Sequence, residues 1–321
     1  MAPSARQSLA ERWVANSSIC ADHVAAGSFE TAMKLLNRQI GVVNFAPLKP
    51  AFMAVYTGAR GACPGLPGTD ALSGPLQRND GEGVPRKDSL PTVAIQLSDL
   101  VKRLRAAYAA FKNGKFADAL TTFRGIMYGI PLLVVERPEM KEVRELLGIC
   151  REYVTALRLE LARRACAKSD AKRATELAAY MTHCNLQPAH MVLCLNLAMT
   201  AAFNLKNFIN AASFARRLLE MPETTSERNR KLRGKARKVL TISEKQGRNA
   251  HKLDYDERNP FVVCAQDLKP IYKGTPFERS SYSGSPAAKE HSGKVCQNDL
   301  ISVVGLETLG LVCSAERASR R

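Results

Sequence analysis

Apolar residues recur at helical spacing through most of the chain. In residues 93–114 one face carries an apolar stripe, at Leu97, Leu100, Val101, Leu104 and Tyr108. Residues 140–167 continue the pattern over a longer span, at Val143, Leu146, Leu147, Cys150, Tyr153, Val154, Leu157 and Leu161. Steps of three and four residues place side chains on one helix face. The pattern predicts amphipathic helices that pack against one another.

A short sequence pattern occurs three times: a turn, then Phe, then Ala three residues later, then bulky apolar residues. The clearest copy is GKFADALTTFRGIMYGIP, at residues 114–131. Its glycine suits the left-handed end of a preceding helix, and its small Ala119 allows close helix approach. The spacing of Gly, aromatic, Ala, aromatic and Pro is typical of one tetratricopeptide-like helical hairpin.

Two further copies of the pattern are weaker. They begin at Phe29 and Phe208, and their irregular distance from Phe116 indicates a degenerate α-solenoid. We interpret Phe116, Phe123 and Phe208 as plugs that fill their hairpins. Such a stripe indicates core packing first of all and identifies no active site.

Two stretches interrupt the helical pattern. Residues 57–92 hold seven Gly and five Pro, which predicts a long loop or linker. Short strands are predicted at 261–264, 270–274, 300–306 and 309–313. The predicted fold class is mainly α, with degenerate tetratricopeptide-like hairpins and a small β-rich C-terminal appendage. The predicted divisions are an N-terminal helical segment (1–56), the linker (57–92), an α-solenoid body (93–252) and a β-rich module (253–321).

The positive charge is concentrated in one part of the 321-residue chain. The formal net charge is +17, and residues 216–252 contribute 12 basic and 4 acidic side chains. Within it, residues 226–246 predict one amphipathic helix, with Leu232, Ala236, Val239 and Leu240 facing inward. Its outer face would suit RNA, anionic lipid or an acidic protein, or would simply be solvated. The run has no aromatic residue, which disfavours base stacking.

Neither a membrane span nor a disulfide framework is expected. The N-terminus lacks the apolar region of a signal peptide. The most apolar run, 191–205, is too short to cross a bilayer and contains Asn196, Thr200 and Asn204. The nine cysteines include no C-x-x-C pair, so we interpret them as reduced thiols of a cytosolic protein.

Residues that carry chemistry are scarce. The Gly-rich stretch 58–65 lacks the Gly-Lys-Ser/Thr ending of a phosphate loop. A metal site could be imagined at His183, Cys184 and His190, but these residues straddle a predicted helix break. A second could be imagined at Cys264, His291, Cys296 and Cys313, whose spacing lacks knuckle geometry. We therefore expect no catalytic residue, no cofactor and no metal.

Five long stretches follow the order found in a known family. They are residues 13–36, 131–154, 178–193, 205–220 and 253–278. Over nearly its whole length the chain resembles the C-terminal domain of coatomer subunit alpha. The resemblance implies a structural scaffold of the vesicle coat that moves between Golgi and endoplasmic reticulum, and not an enzyme.

The family also suggests partners and a location. It implies binding of the coatomer epsilon subunit, itself tetratricopeptide-like, and assembly with other coatomer subunits. The implied location is cytoplasmic, peripheral at the Golgi membrane and on coated vesicles, with membrane association through the coat. Nucleic acid is not an expected partner. The alternatives are a basic helical-repeat protein that binds RNA or an anionic membrane surface, and, third, an unrecognised enzyme.

The sequence departs from this family in two ways. The family's alpha protein is much longer and carries β-propellers that read dilysine cargo tails, so cargo recognition is not expected of this chain. We expect a fragment, a truncated product or a free-standing copy. Ser280 and Pro286 stand near positions where the family has further cysteines. This difference strengthens the expectation of a metal-free tail.

Overall fold

The computed structural model describes Val14 and residues 17–76, 86–225 and 229–314. The fold is mainly helical with small strand pairs, which confirms the predicted class. The longer helices are α1 (Cys20–Ala25), α2 (Phe29–Ile40), α3 (Lys49–Gly58), α4 (Leu97–Lys112), α5 (Phe116–Gly129), α6 (Met140–Cys166), α7 (Ala171–Met181), α8 (Pro188–Asn204), α9 (Phe208–Glu220) and α10 (Arg230–Gln246). Among the described residues, no helix combines the length and apolarity that a membrane crossing requires.

From α4 onward each helix packs against the next one in sequence. Three of the connecting turns share one geometry, in which the residue two places before a helix-opening Phe has positive φ. Gly27 and Gly114 occupy this position with φ of 82° and 74°, and Lys206 occupies it with φ of 60°. Glycine adopts this conformation without steric strain, whereas lysine does so at a cost.

The predicted plugs differ in how deeply they are buried. Phe123 is fully buried and stacks on Tyr153, with 4.7 Å between the ring centroids. Phe116 and Phe208 are half-buried. Each meets a Phe of the preceding helix edge-on, Phe111 at 5.6 Å and Phe203 at 5.7 Å. These two side chains therefore close the turn end of a hairpin, while Phe123 fills its centre.

The apolar core of the described residues consists of three clusters. The largest runs from α1 to α8 and includes Val263, Tyr282, Ile301 and Cys313 from the C-terminal part of the chain. A second joins α7, α8, α9 and α10, and it contains the predicted inward residues Ala236 and Val239. The third is small and lies within the β-rich module. The division into four segments stays a prediction.

Three antiparallel strand pairs occur among the described residues, in addition to the helices. β1 (Arg60–Cys63) pairs with β2 (Leu72–Pro75) inside the stretch that was predicted as a loop. β3 (Phe261–Val263) pairs with β4 (Pro270–Tyr272), where strands were predicted. β5 (Phe277–Arg279) pairs with β6 (Pro286–Ala288), which the sequence did not predict.

The other two predicted strands are not regular strands. In residues 300–306 only isolated bridges form, at Ser302, Val303 and Val304. The strand prediction for 309–313 was wrong. Leu309 and Gly310 donate instead to the Arg38 and Gln39 carbonyls of α2. Carbonyls near a helix C-terminus lack intrahelical donors, and this segment supplies them.

The C-terminal module lies directly against the N-terminal helices. Val43 and Asn44 donate backbone hydrogen bonds to the Ile301 carbonyl, at 2.9 and 3.2 Å. Gly41, at the end of α2, has φ of 66°, and a Cβ there would lie 2.2 Å from the Ser281 hydroxyl. Glycine therefore serves both the left-handed turn and the close approach.

Candidate partner-binding site

The β1–β2 hairpin is the most exposed apolar feature of the described chain. All side chains from Ala62 to Ser73 are exposed, and Leu66 and Leu72 are 77% and 78% exposed. Between Gly61 and Leu76 only Asp70 carries a charge. An exposed, almost uncharged element on a strongly basic protein is a candidate protein-binding surface.

Local backbone chemistry fixes the shape of the hairpin. The Thr69 amide and hydroxyl both donate to the Leu66 carbonyl at 2.9 Å, which closes the tip. Gly68 has φ of 87°, and a Cβ at Gly65 would lie 2.2 Å from the Thr69 carbonyl oxygen. Gly65 and Gly68, which contributed to the loop prediction for residues 57–92, therefore allow this tight turn at the tip.

The base of the hairpin is anchored to α3. Leu76 donates a backbone hydrogen bond to the Ala59 carbonyl at 3.1 Å. The Arg60 guanidinium lies over the Tyr56 ring, 4.8 Å from its centroid. The tip is thus presented from a base that is half-buried on both strands.

Further exposed apolar residues occur on elements that adjoin this end of the molecule. Met33 lies on α2 and Met53 on α3, and both are exposed. Leu306 and Leu309 are also exposed and belong to the segment that runs beside the end of α2. The N-terminal helices and the hairpin therefore offer several apolar side chains to a partner.

The second candidate surface is the basic face of α10. Arg230, Lys231, Lys235, Arg237 and Lys238 are exposed, as the sequence predicts. Lys235 donates to the Thr200 hydroxyl of α8 at 2.8 Å, and Glu244 pairs with Arg216 at 2.9 Å. Exposed lysines and arginines of this kind attract anions without selecting among them.

The first imagined metal site is not assembled within the described residues. His183 Nε2 lies 2.9 Å from the Tyr255 hydroxyl, whereas His190 Nδ1 lies 2.7 Å from the Tyr153 hydroxyl. Cys184 is buried. Each imidazole therefore has its own tyrosine partner. Burial, with a smaller contribution from Lys112, lowers the pKa of His190.

The four residues of the second imagined metal site do not all meet. Cys313 donates to the Ile130 carbonyl at 3.3 Å, and Cys296 lies beside the Ser283 hydroxyl at 3.9 Å. Cys264 and His291 do approach one another, with Asp267 as the third member of the group. All nine cysteines are free thiols.

A buried carboxylate that the sequence did not reveal organises the module. Asp299 is fully buried and accepts hydrogen bonds from the hydroxyls of Ser280, Ser283 and Ser302 at 2.6–2.9 Å. The backbone amides of Ile301 and Ser302 donate to its other oxygen. Ser280, singled out in the sequence for standing near a family cysteine, is thus part of a polar network.

Arg124 and Arg158 donate hydrogen bonds from the helices to the β-rich module. Arg158 of α6 donates to Asn298 Oδ1 at 2.6 Å and to the Ala265 carbonyl. Arg124 of α5 donates to the Asn298 and Gln297 carbonyls at 3.0 and 2.8 Å. Burial, reinforced by the Arg124 charge, lowers the pKa of Arg158 to about 10. Burying this charge carries an electrostatic cost, which its hydrogen bonds offset.

The described residues form a mainly helical domain with a small β-rich module and an exposed apolar hairpin. The family model for the C-terminus of the coatomer (COPI) alpha subunit matches residues 1–319. The chain belongs to this family.

Curated relatives support the same family. The chain is 40% identical over 308 residues to "Coatomer subunit alpha" of Dictyostelium discoideum, with 93% of this chain and 24% of the relative covered. It is 39% identical to "Coatomer subunit alpha-1" of Arabidopsis thaliana (95% and 25% covered). It is 33% identical to "Coatomer subunit alpha" of Saccharomyces cerevisiae (93% and 24% covered). The chain spans about a quarter of the length of these relatives.

Proposed function

We propose that this chain is a scaffold component of a COPI vesicle coat and performs no catalysis. The relatives that it matches are coatomer alpha subunits, and it covers their C-terminal family region. Its long helices, shared core and buried polar network build rigid surfaces for assembly. It acts in the cytoplasm, held at Golgi membranes and coated vesicles through other coatomer subunits.

The partner that we propose is the coatomer epsilon subunit, and the docking element is the β1–β2 hairpin. The observation that carries this proposal is the exposure of Leu66 and Leu72. Burying a leucine fully contributes about 1.5–3 kcal/mol. A tetratricopeptide-like partner offers a concave surface, which suits a narrow hairpin that carries a single charged residue, Asp70.

This interface responds little to ionic strength. A constitutive interface buries about 2,000 Å² or more and is apolar at its centre. Because only Asp70 is charged near the tip, salt has few charge pairs to screen there. The +17 charge acts mainly on the rate of encounter with acidic neighbours.

Co-expression with epsilon, followed by gel filtration at low and high salt, tests the proposal. The wild-type chain is expected to co-elute with epsilon at both salt concentrations. The double substitution L66D and L72D is expected to abolish co-elution, because it places two charges in an apolar contact. The matched control is L193D, which changes an exposed leucine on α8.

Three results would contradict the proposal. Failure of the wild type to co-elute at either salt removes epsilon as the partner. Co-elution of the double variant removes the hairpin as the docking element. Release at high salt alone would favour a weak electrostatic contact, for which the basic face of α10 is the candidate.

The alternative function is binding of RNA or an anionic membrane by that basic face. The exposed basic residues of α10 support it, and affinity of this type falls steeply with salt. A salt titration with single-stranded RNA, and another with anionic vesicles, separates this alternative from scaffold assembly.

A further inference from the structure

Three potential metal ligands meet at one edge of the β-rich module. One ligand atom each from Cys264, Asp267 and His291 lies within 4.8 Å of the others. Cys264 follows β3, and Asp267 lies in the β3–β4 turn. His291 ends the short turn Lys289–His291, which directly follows β6. The cluster therefore joins the β3–β4 turn to the segment that directly follows β6.

The backbone holds the first two residues in a fixed turn. The Cys264 amide donates to the Lys269 carbonyl at 2.8 Å, and the Leu268 amide donates to the Cys264 carbonyl at 3.1 Å. Leu268 has φ of 59°, so the chain reverses sharply here. This turn places a cysteine and, three residues later, an aspartate on the same side.

One atom of the cluster lacks a partner. His291 Nε2 is buried and has no hydrogen-bond partner in the described structure. Carboxylate oxygens of Glu290 and Asp267 lie 3.5 and 4.0 Å from it, too far for a direct hydrogen bond. A buried polar atom without a partner requires an explanation, and an ion is one of the accepted ones.

We propose that Cys264, Asp267 and His291 bind a divalent transition metal of the Zn²⁺ class. Sulfur, imidazole nitrogen and carboxylate oxygen together form a donor set that zinc accepts. Tetrahedral bonds of about 2.0–2.3 Å place ligand atoms about 3.2–3.8 Å apart, so the cluster needs only a small contraction. Water completes the coordination.

This site replaces the grouping that the sequence suggested. Spacing alone grouped Cys264 and His291 with Cys296 and Cys313. In the structure, Cys296 contacts Ser283 and Cys313 contacts the Ile130 carbonyl instead. Asp267 was not part of that grouping, and the structure places it beside Cys264 and His291. The expectation of a metal-free tail is therefore revised for this one site.

The thiol environment is compatible with metal binding. Cys264 is buried, and its sulfur lies beside the Asp267 carboxylate. Backbone N–H groups of Asp267, Ala288 and Gln266 are directed toward this sulfur. A bound cation would displace the thiol proton, and the same N–H groups would then stabilise the coordinated sulfur.

Lys294 opposes binding in the metal-free protein. Its ammonium is exposed and lies 3.1 Å from His291 Nδ1. When a metal occupies Nε2, Nδ1 must carry the proton, and Lys294 has to turn toward solvent. Removing this ammonium should therefore tighten binding, a result that a purely structural role for His291 does not produce.

Such a metal would clamp the β3–β4 turn to the end of β6. Each strand in the module is only three residues long, and isolated two-stranded pairs are marginal in water. Tying the two pairs together stabilises the module wherever the metal is available.

The test is a Co²⁺ titration of the purified full chain, with Zn²⁺ as competitor. We expect one equivalent to bind, with a thiolate-to-cobalt charge-transfer band and the visible bands of tetrahedral Co²⁺, and zinc to displace it. Cys264→Ser should lose the charge-transfer band. His291→Ala should weaken binding by at least about ten-fold, and Lys294→Gln should tighten it.

Controls separate this site from other thiols and from unfolding. Cys63→Ser removes an exposed thiol and should leave the band unchanged. Circular dichroism checks the fold of each variant, and Asp267→Asn is the conservative substitute if His291→Ala does not fold. The absence of a band at one equivalent, or its persistence in Cys264→Ser, would overturn the proposal.

Discussion

Asp299 stabilises the C-terminal module from its interior. Its carboxylate accepts three hydroxyl and two backbone hydrogen bonds without contact with water. Charge-assisted hydrogen bonds of this kind offset the cost of burying an anion. Serine and aspartate look like surface residues in a sequence, so this network became visible only in the structure.

Phe116 and Phe123, the two aromatic positions of the clearest hairpin, should contribute unequally to the free energy of unfolding. Phe123→Ala is expected to lower the free energy of unfolding by about 3–5 kcal/mol, the range for a fully buried Phe. Phe116→Ala should cost less, because that ring is half-buried and packs on Phe111 and under Arg164. Urea denaturation measures both; an unchanged midpoint for Phe116→Ala would contradict its role as a plug.

His190 should make stability depend on pH. Burial lowers the pKa of folded His190, while an unfolded histidine titrates near about 6.5. Below about pH 7 the unfolded state therefore binds more protons, and the free energy of unfolding falls as pH falls. His190→Gln should reduce this slope between about pH 7 and 5. His251→Gln, at an exposed histidine, is the control, and an equal slope in wild type and His190→Gln would refute the prediction.

At the scale of elements, the helical hairpins could be predicted from the sequence because the same pattern occurs at each turn. The residue two places before Phe has positive φ in all three copies. Phe then packs on an aromatic residue of a neighbouring helix, as Phe29 does on Tyr56 at 5.2 Å. Propensity and packing agree at these turns, so local sequence was sufficient to predict them.

The third copy departs from the pattern by placing Lys206 where the others have glycine. Lys206→Gly should be neutral or stabilising by up to about 1 kcal/mol, because strain relief exceeds the added entropy of the unfolded chain. Gly114→Ala should instead destabilise by about 1 kcal/mol, and conformation is the cause since no atom lies within 4 Å of the added Cβ. Thermal unfolding compares the two; a loss of stability in Lys206→Gly would contradict the shared geometry.

The short strands were harder to predict than the helices. β1 and β2 lie among glycines and prolines that also permit a loop, and their alternating apolar pattern is absent. β5 and β6 read FER and PAA, and only their contacts within the module make them strands. The Cys264, Asp267 and His291 cluster was missed for the same reason. Its members meet through tertiary structure, which local spacing does not encode.

At the scale of the whole molecule, the C-terminal module completes the N-terminal helices. Ser281 donates to the Ile40 carbonyl, Val42 bridges Ser302, and Tyr282 donates to the Met127 carbonyl of α5. The first and last parts of the chain therefore share backbone hydrogen bonds and one apolar cluster.

A chain that ends at residue 252 should lose order at its N-terminal end. Without Ile301 and Leu300, the Val43 and Asn44 donors lose their partners. Hydrogen exchange should then show reduced amide protection in α1, α2 and α3, with α8 and α9 less affected because their cluster lies largely apart. Unchanged protection in α1–α3 would mean that the N-terminal segment folds independently of the module.

These contacts also set an order of events during synthesis. Asn44 and Leu300 are 256 residues apart. At about 5–20 residues per second, a ribosome needs about 13–50 s to make the intervening chain. The helices that emerge first therefore wait longest for their final contacts, with apolar surface open to chaperones during the whole interval. Slow translation of the segment between these two residues would lengthen that wait, and rapid translation would shorten it.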